Sequence, residues 1–467
     1  MPEPSQRHVV VVGGGIAGLA AAAALRDAGP RVRVTLLEGS AQVGGKLRVS
    51  ELAGVPVDEG AESLLLRRPE AVDLARAAGL GDDLEDAATT SAAVWSRGRL
   101  RPLPAATVMG VPSDLRALAA SGLLTARELS RVPLDAWLPR TSYGEDVTVG
   151  GYVAARMGRA VVERVVEPLL GGVYAGRADE LSMEATVPQL APYARRERSL
   201  LAAARASRAA APQTGGAVFG APRGGVGRLP AAVARLSGAE VRTGATVREL
   251  HRRPEGWRLV IGSTRSPEEV LADGVVLAVP AAPSARLLRP HAAAAASDLT
   301  QVRYSSMAVV ALAFPRSVWP GPPTGSGFLV PPVEGRSVKA VTFSSTKWGW
   351  YAGSAPDLVV VRASVGRLGE EAVLQRDDED LVDLVLADLT DLLGLTDPPL
   401  DARVTRWGGG LPQYAVGHRA RVERVRAAVA RLPALAVAGA QYDGVGVPAC
   451  IASGQRAAAD LLRQWGT

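Results

Sequence analysis

The stretch Val9-Val10-Val11-Val12-Gly13-Gly14-Gly15-Ile16-Ala17-Gly18-Leu19-Ala20-Ala21-Ala22-Ala23-Ala24-Leu25 decides how this chain folds. It is uncharged, follows Arg7 and His8, and ends in alanines, so it imitates the apolar core of a secretory signal. Such a core is one continuous helix, and three adjacent glycines after four valines would badly weaken one. Strand, tight turn and helix account for it better. Four valines suit a strand buried on both faces, and Gly13 to Gly18 satisfies G-x-G-x-x-G. Gly13 then permits the turn, Gly15 lets backbone approach a pyrophosphate, and Gly18 allows close helix–strand packing, with Gly14, Ile16 and Ala17 completing the loop. The helix start offers free amides and the positive end of its dipole to that anion.

Working outward, Val32–Leu37 reads as the second strand and closes on Glu38, whose carboxylate can accept both hydroxyls of a ribose and would repel a 2′-phosphate. A bound adenine dinucleotide is therefore expected. Six residues after Glu38 comes Gly44-Gly45-Lys46, a second place for close backbone approach. An ordinary surface loop has the same spacing, so these residues leave FAD and NAD both open.

The rest of the composition removes other classes. With 467 residues, 47% hydrophobic and 21% charged, the chain is long enough for two or three packed domains and is not disordered. Aromatic residues make up 4%, so the core is aliphatic. Only Lys46, Lys339 and Lys347 among 53 basic residues are lysines. Codon usage is the simpler account of that arginine excess, and recognition of a carboxylate-bearing substrate the sharper one. A net charge of +6 with no basic run interleaved with aromatics gives no reason to expect nucleic acid. The single Cys450 and four scattered histidines (His8, His251, His291, His418) form neither a disulfide framework nor a metal site, which fits a cytoplasmic setting. No other apolar run approaches the length of a spanning helix.

Further along, helices are expected at Ile16–Ala28, Leu64–Gly79, Asp378–Leu393 and Ile451–Trp465, and hairpins turn at Ala53–Gly54 and Arg97–Gly98. Ser113 to Arg208 reads as mainly helical, with Val153, Met157, Val161, Val165 and Leu169 forming an i+4 stripe and Pro168 bending or ending its helix. Ala209–Gly225 is the linker candidate. Val275–Val279, Met307–Phe314, Val338–Phe343, Leu358–Val365 and Leu435–Val437 read as strands.

Taken together, Gly13–Gly18, Glu38, Gly44–Lys46 and Asp58–Ser63 resemble the flavin amine-oxidase superfamily. Three later runs narrow the match to the porphyrinogen oxidases. These are Glu167-Pro168-Leu169-Leu170-Gly171-Gly172-Val173-Tyr174-Ala175-Gly176 with Glu180-Leu181-Ser182, then Trp407 to Tyr414 with Gly417-His418, and Gly439 to Pro448 with Ser453-Gly454. The chain is similar throughout to the Gram-positive coproporphyrinogen III oxidase branch. Plant and animal members carry an arginine before the first sheet hairpin, where this chain has Ala92 or Ala93.

The resemblance implies an α/β plus α+β architecture. A Rossmann-type FAD-binding domain would be assembled from residues 1–90, 213–295 and 406–467, with a substrate domain holding a mixed sheet at 296–405 and a mainly helical insertion at 91–212. Flavin contacts would fall on Gly13–Gly18, Glu38, Gly39, Lys46, Gly60, Ala61, Glu62, Ser63, Val247, Trp407, Val445, Gly446 and Val447. The implied reaction passes hydride from a meso carbon of coproporphyrinogen III to FAD, with O2 returning it as H2O2, and requires no acid–base side chain. The partners implied are coproporphyrinogen III and O2, a transient contact with the next haem-pathway enzyme, and weak peripheral membrane contact by the helical region. A protoporphyrinogen oxidase, an amine oxidase using Lys339 or Lys347, and a porphyrin carrier without turnover are the rival readings. Cys450 is expected in the core, and His418 as a hydrogen-bonding loop residue.

Overall fold

The computed structural model describes residues 6–27, 29, 31–211, 216–321 and 323–466. The valines do form a strand, Arg7–Val12, in the middle of a five-stranded parallel sheet. Val32–Leu37 and then Glu240–Arg242 lie on one side of it, with Gly274–Leu277 and Leu435–Val437 on the other. Val9, Val10 and Val11 are wholly buried because both faces are covered. On one side lies the helix Ile16–Arg26, packed against the last helix, Val447–Gln464. That approach needs glycine at 454, since a Cβ there would sit 2.0 Å from the Ala17 carbonyl oxygen. The other face carries an antiparallel meander of Val247–Arg253, Gly256–Ser263 and Ser266–Ala272.

A second sheet has seven strands: Asp401–Pro412, Tyr304–Pro315, Leu358–Val365, Val338–Phe343, Gly327–Leu329, Ala93–Ser96 and Arg99–Pro102. All neighbours are antiparallel except Gly327–Leu329 with Ala93–Ser96. Alternation along each strand gives it two buried faces. Val310, Leu312, Val359 and Val361 pack under the helix Asp378–Leu393. Ala311, Ala313 and Val360 turn the other way and join the core that contains Val9 and Leu19. The opposite face of that sheet thus rests on the unit built around the glycine loop.

The region from Leu115 to Ala210 is helical as read, and its core holds a wholly buried ion pair, Arg156 Nε to Asp135 Oδ1 at 2.6 Å. The i+4 stripe, however, is not one helix. Val149–Met157 stops at Gly158, whose φ of 95° is outside the helical region, and Val162–Val166 is a wider π turn. The extra residue in that turn shifts the register. Val153, Met157, Val161 and Val165 are buried, but Leu170 takes the inward place expected for Leu169.

Other boundaries differ too. Leu64–Leu65 is a short strand, and the helix starts at Pro69, whose missing N–H costs nothing in a first turn. Residues 212–215 of the linker candidate lie outside the described residues, as does Ala28, while Phe219–Pro222 forms a strand between Leu64–Leu65 and Leu84–Asp86. Among the described residues no helix is long and apolar enough to cross a membrane, and no acid, histidine and cysteine cluster could hold a metal.

Candidate active site

The glycine loop has the geometry of an anion cradle. Gly13 donates to the Leu37 carbonyl at 2.8 Å and has a φ of 107°. A Cβ on Gly18 would lie 1.9 Å from the Gly13 carbonyl oxygen, so the helix can approach the turn only without one. Gly15 differs: a Cβ there would meet nothing within 4 Å, and no side chain caps the helix it begins. The first-turn amides are therefore left over, beside space that backbone alone borders. Glu38 accepts from Gly14 N at 2.7 Å and Ser40 N at 2.8 Å, which fixes the carboxylate at the strand end and leaves lone pairs for two hydroxyls. Gly39 lies against Thr246, and Val247 is buried at the start of the meander strand.

A second arm continues from this loop. Gly44 N donates to Gly14 O at 2.8 Å, which places Lys46 one turn further on. A Cβ on Gly60 would lie 2.1 Å from the Lys46 carbonyl oxygen and 3.4 Å from the Trp407 ring. Trp407 donates its indole N–H to Glu59 O at 2.8 Å, and the Arg48 guanidinium stands 5.6 Å from the Trp407 ring centroid. Burial lowers the Lys46 ammonium, which also faces the Cys450 thiol. Val445 packs with the cluster of Tyr174 and Tyr414, while Gly446 opens the final helix without a side-chain cap. The glycine loop thus touches the second arm through Gly14 and Gly44, and that arm reaches Gly60 and Trp407, while Gly39 and Val247 lie beyond Glu38 and Val445 packs in the helical core.

Beneath Gly60–Ser63 lies a charged knot that sequence reading missed. Glu62 accepts from the Ser344 hydroxyl and from Lys347 Nζ at 3.1 Å, and forms an ion pair with Arg362 Nη1 at 3.3 Å. Lys347 also reaches Ser63 Oγ at 2.6 Å, and Arg362 donates to Gly60 O. Burial alone would raise the Glu62 carboxyl, but Lys347 and Arg362 hold it down at about 2. Asp58, four residues earlier, accepts from Val226 N and Gly227 N at 2.9 and 2.8 Å, and burial pushes it up to about 7 against the pull of Arg362. One signal was available: Arg362 is the lone charge in the apolar strand Leu358–Val365. Asp58 opens the Asp58–Ser63 run already noted in the sequence, whereas Arg48 carried no signal.

The remaining singled-out residues are accounted for. Lys347 is committed to Glu62 and Ser63. Lys339 is buried, donates to Gly366 O at 2.9 Å, and is drawn down to about 7 by burial and by Arg367. Cys450 is buried as expected, which pushes its thiol up to about 11. His418 is not in a loop: it starts the helix His418–Val429, and its ring stacks on Tyr414 at 4.0 Å, with burial keeping it neutral near pH 7.

The family model for flavin containing amine oxidoreductases matches residues 16–462. A Mycobacterium tuberculosis protein named coproporphyrinogen III oxidase is 40% identical over 465 residues, covering 98% of this chain and 97% of the relative. The Bacillus subtilis protein of the same name is 32% identical, with 98% of each chain covered. The crystal structure of a candidate protoporphyrinogen oxidase from an Exiguobacterium species superposes with a TM-score of 0.85 at 34% identity, covering 99% of this chain and all of that one. A connected glycine cradle in a chain matched from end to end leaves one placement: the protein belongs to the flavin-containing amine oxidoreductase family, in its coproporphyrinogen III oxidase branch.

Proposed function

We propose that this protein is an FAD-dependent oxidase that converts coproporphyrinogen III to coproporphyrin III, with O2 as acceptor and H2O2 as by-product. The observation that carries this reading is the end-to-end relatedness to proteins named for that activity, at 40% identity. The fit of FAD rests on the chain itself. Gly15 borders open space at an uncapped helix start, Glu38 is held ready at a strand end, and Arg48 Nε and Arg362 Nε are buried donors without a partner.

In this reading Gly13–Gly18 bind the pyrophosphate through backbone amides, Glu38 and Gly39 the ribose, and Val247 the adenine. Lys46, Gly60–Ser63, Trp407 and Val445–Val447 border the ring. Bound FAD supplies the two-electron acceptor for hydride from a porphyrinogen meso carbon. The protein orients: Arg362 and Lys347 clamp the 60–63 loop to the second sheet, and Trp407 is fixed by Glu59. Gln413 holds the end of the Glu167–Tyr174 helix, donating to Tyr174 O at 2.7 Å. No proton-transferring side chain is assigned. The division proposed is 1–90, 213–295 and 406–467 for the FAD unit, 296–405 for the substrate sheet and 91–212 for the helical insertion, although the hairpin Ala93–Pro102 and all of Asp401–Pro412 pair into that sheet.

The setting proposed is cytoplasmic, with the next haem-pathway enzyme as a transient partner and peripheral contact with anionic membrane at Trp137. That indole is 80% exposed, beside exposed Leu134, with Arg198 donating to the Trp137 carbonyl at 2.9 Å.

Anaerobic titration of the purified yellow protein with coproporphyrinogen III tests the assignment. Bleaching of the flavin band, faster than with protoporphyrinogen IX, is expected, with H2O2 on admitting air. A protein that stays colourless when offered FAD, or a flavin bleached by amines and by neither porphyrinogen, refutes it.

A further inference from the structure

Buried charge is tolerated best when it cancels, and around residues 59–63 it does not. Four cationic side chains meet this short loop. Lys46 and Arg48 come from the preceding strand–turn, and both are half-buried with no ion pair among the described residues. Arg362 comes from the second sheet and Lys347 from the short helix Ser344–Lys347 that follows its strand Val338–Phe343, with only 8% and 13% of their side chains exposed. Against them stands one engaged, ionised carboxylate, Glu62, itself 8% exposed. Glu59 lends its carbonyl to Trp407 and pairs with none of the four. Asp58 spends its oxygens on the amides of Val226 and Gly227. Arg48 Nε and Arg362 Nε are buried and donate to nothing. Below pH 7, where buried Asp58 keeps its proton, Glu62 neutralises one of the two cations that clamp it, and a unit of positive charge stays in a low-dielectric layer directly behind Gly60 and Ser63.

We propose that Arg362 and Lys347, beyond their clamp on Glu62, are positioning residues that hold positive charge behind the flavin-facing loop and so favour the negative charge a flavin acquires on reduction. This rests on the reading above that Gly60–Ser63 border the flavin. The charge comes from the second sheet and the short helix attached to it. The same side chains that fasten that sheet to the loop also set the electrostatic field there, so the two tasks can be separated only by the sign of a charge change.

Sulfite is the probe. It adds reversibly to an oxidised flavin, leaves a negative charge on the ring and bleaches the visible band, so its dissociation constant reads the local field without turnover. Arg362→Gln and Lys347→Met each remove a positive charge and are expected to weaken sulfite binding about tenfold. A tenfold change corresponds to about 30 mV in a two-electron potential. Glu62→Gln removes the negative charge, keeps a polar group of the same shape, and is expected to tighten sulfite binding. Arg362→Lys, which preserves the charge, should stay close to the wild type.

A purely structural clamp predicts something else, because all three neutralising variants would loosen the loop and weaken sulfite binding alike. That outcome, or dissociation constants within about twofold of the wild type throughout, overturns the proposal. If Arg362→Gln fails to retain flavin, the opposite shifts of Lys347→Met and Glu62→Gln decide the matter. Failure of the functional reading looks different: the wild-type protein would then bind no flavin.

Discussion

Asp58→Asn should change how the stability of this protein depends on pH, and in a direction that the burial of the carboxyl dictates. In the folded chain Asp58 is 4% exposed, and burial raises its carboxyl from 3.8 to about 7. The folded state therefore keeps its proton between those values while the unfolded state has released it. Stability from this group is fully present below about 3.8 and is lost as pH rises towards 7. At about 1.4 kcal/mol for each pH unit of that gap, the loss is about 4 kcal/mol at most, since the two backbone amides on the carboxylate favour its charged form. An asparagine never ionises but has only one oxygen, so one of the two amides that now donate to separate carboxyl oxygens, Val226 N or Gly227 N, is left facing its NH2 group, at a cost of about 2 kcal/mol. The thermal midpoint of the variant should lie slightly below the wild type at pH 5 and above it at pH 8.5, the two curves crossing between. At roughly 1–2 °C per kcal/mol for a chain of this length, the relative shift is about 5 °C. Tryptophan fluorescence on heating, with equal saturating FAD, measures it. Parallel curves would show that Asp58 is ionised throughout, and the argument from burial would be wrong.

Two further outcomes bear on the site. Gly18→Ala puts a Cβ 1.9 Å from backbone oxygen that cannot move aside and should yield no folded protein, whereas Gly15→Ala meets open space and should fold with FAD affinity lowered about tenfold or more. Circular dichroism and flavin-fluorescence titration separate the two, and a Gly15→Ala protein that binds FAD as the wild type does would refute the cradle. Trp137→Ser should abolish co-sedimentation with anionic vesicles and leave turnover unchanged, because the indole touches solvent over 80% of its surface. Equal sedimentation of both proteins would place any membrane contact elsewhere.

The strand–glycine–helix start, its Glu38 partner, the helix Asp378–Leu393 and the strands Leu358–Val365 and Leu435–Val437 could all be read from the chain with little or no boundary error. In these segments local pattern and final environment agree: β-branched runs buried on both faces, or an apolar face repeating at helical spacing. The register slip after Val165 was not legible, because a π turn adds one residue without any marker in composition. Neither was the strand role of Asp401–Pro412, whose three glycines have little strand preference and are held in place by pairing with Tyr304–Pro315.

What the amino-acid order determined by itself was the strand–glycine–helix loop with Glu38 at the next strand end, since its geometry lies within a few residues and needs only backbone freedom and one acid. Only the tertiary structure decided how charge is arranged behind that loop. Glu62 meets Lys347 and Arg362 across 285 and 300 residues of chain, and Asp58 meets Val226 across 168. Coulombic and hydrogen-bond energies depend on distance in space, and nothing in the neighbourhood of each residue along the chain records which partner folding will bring to it.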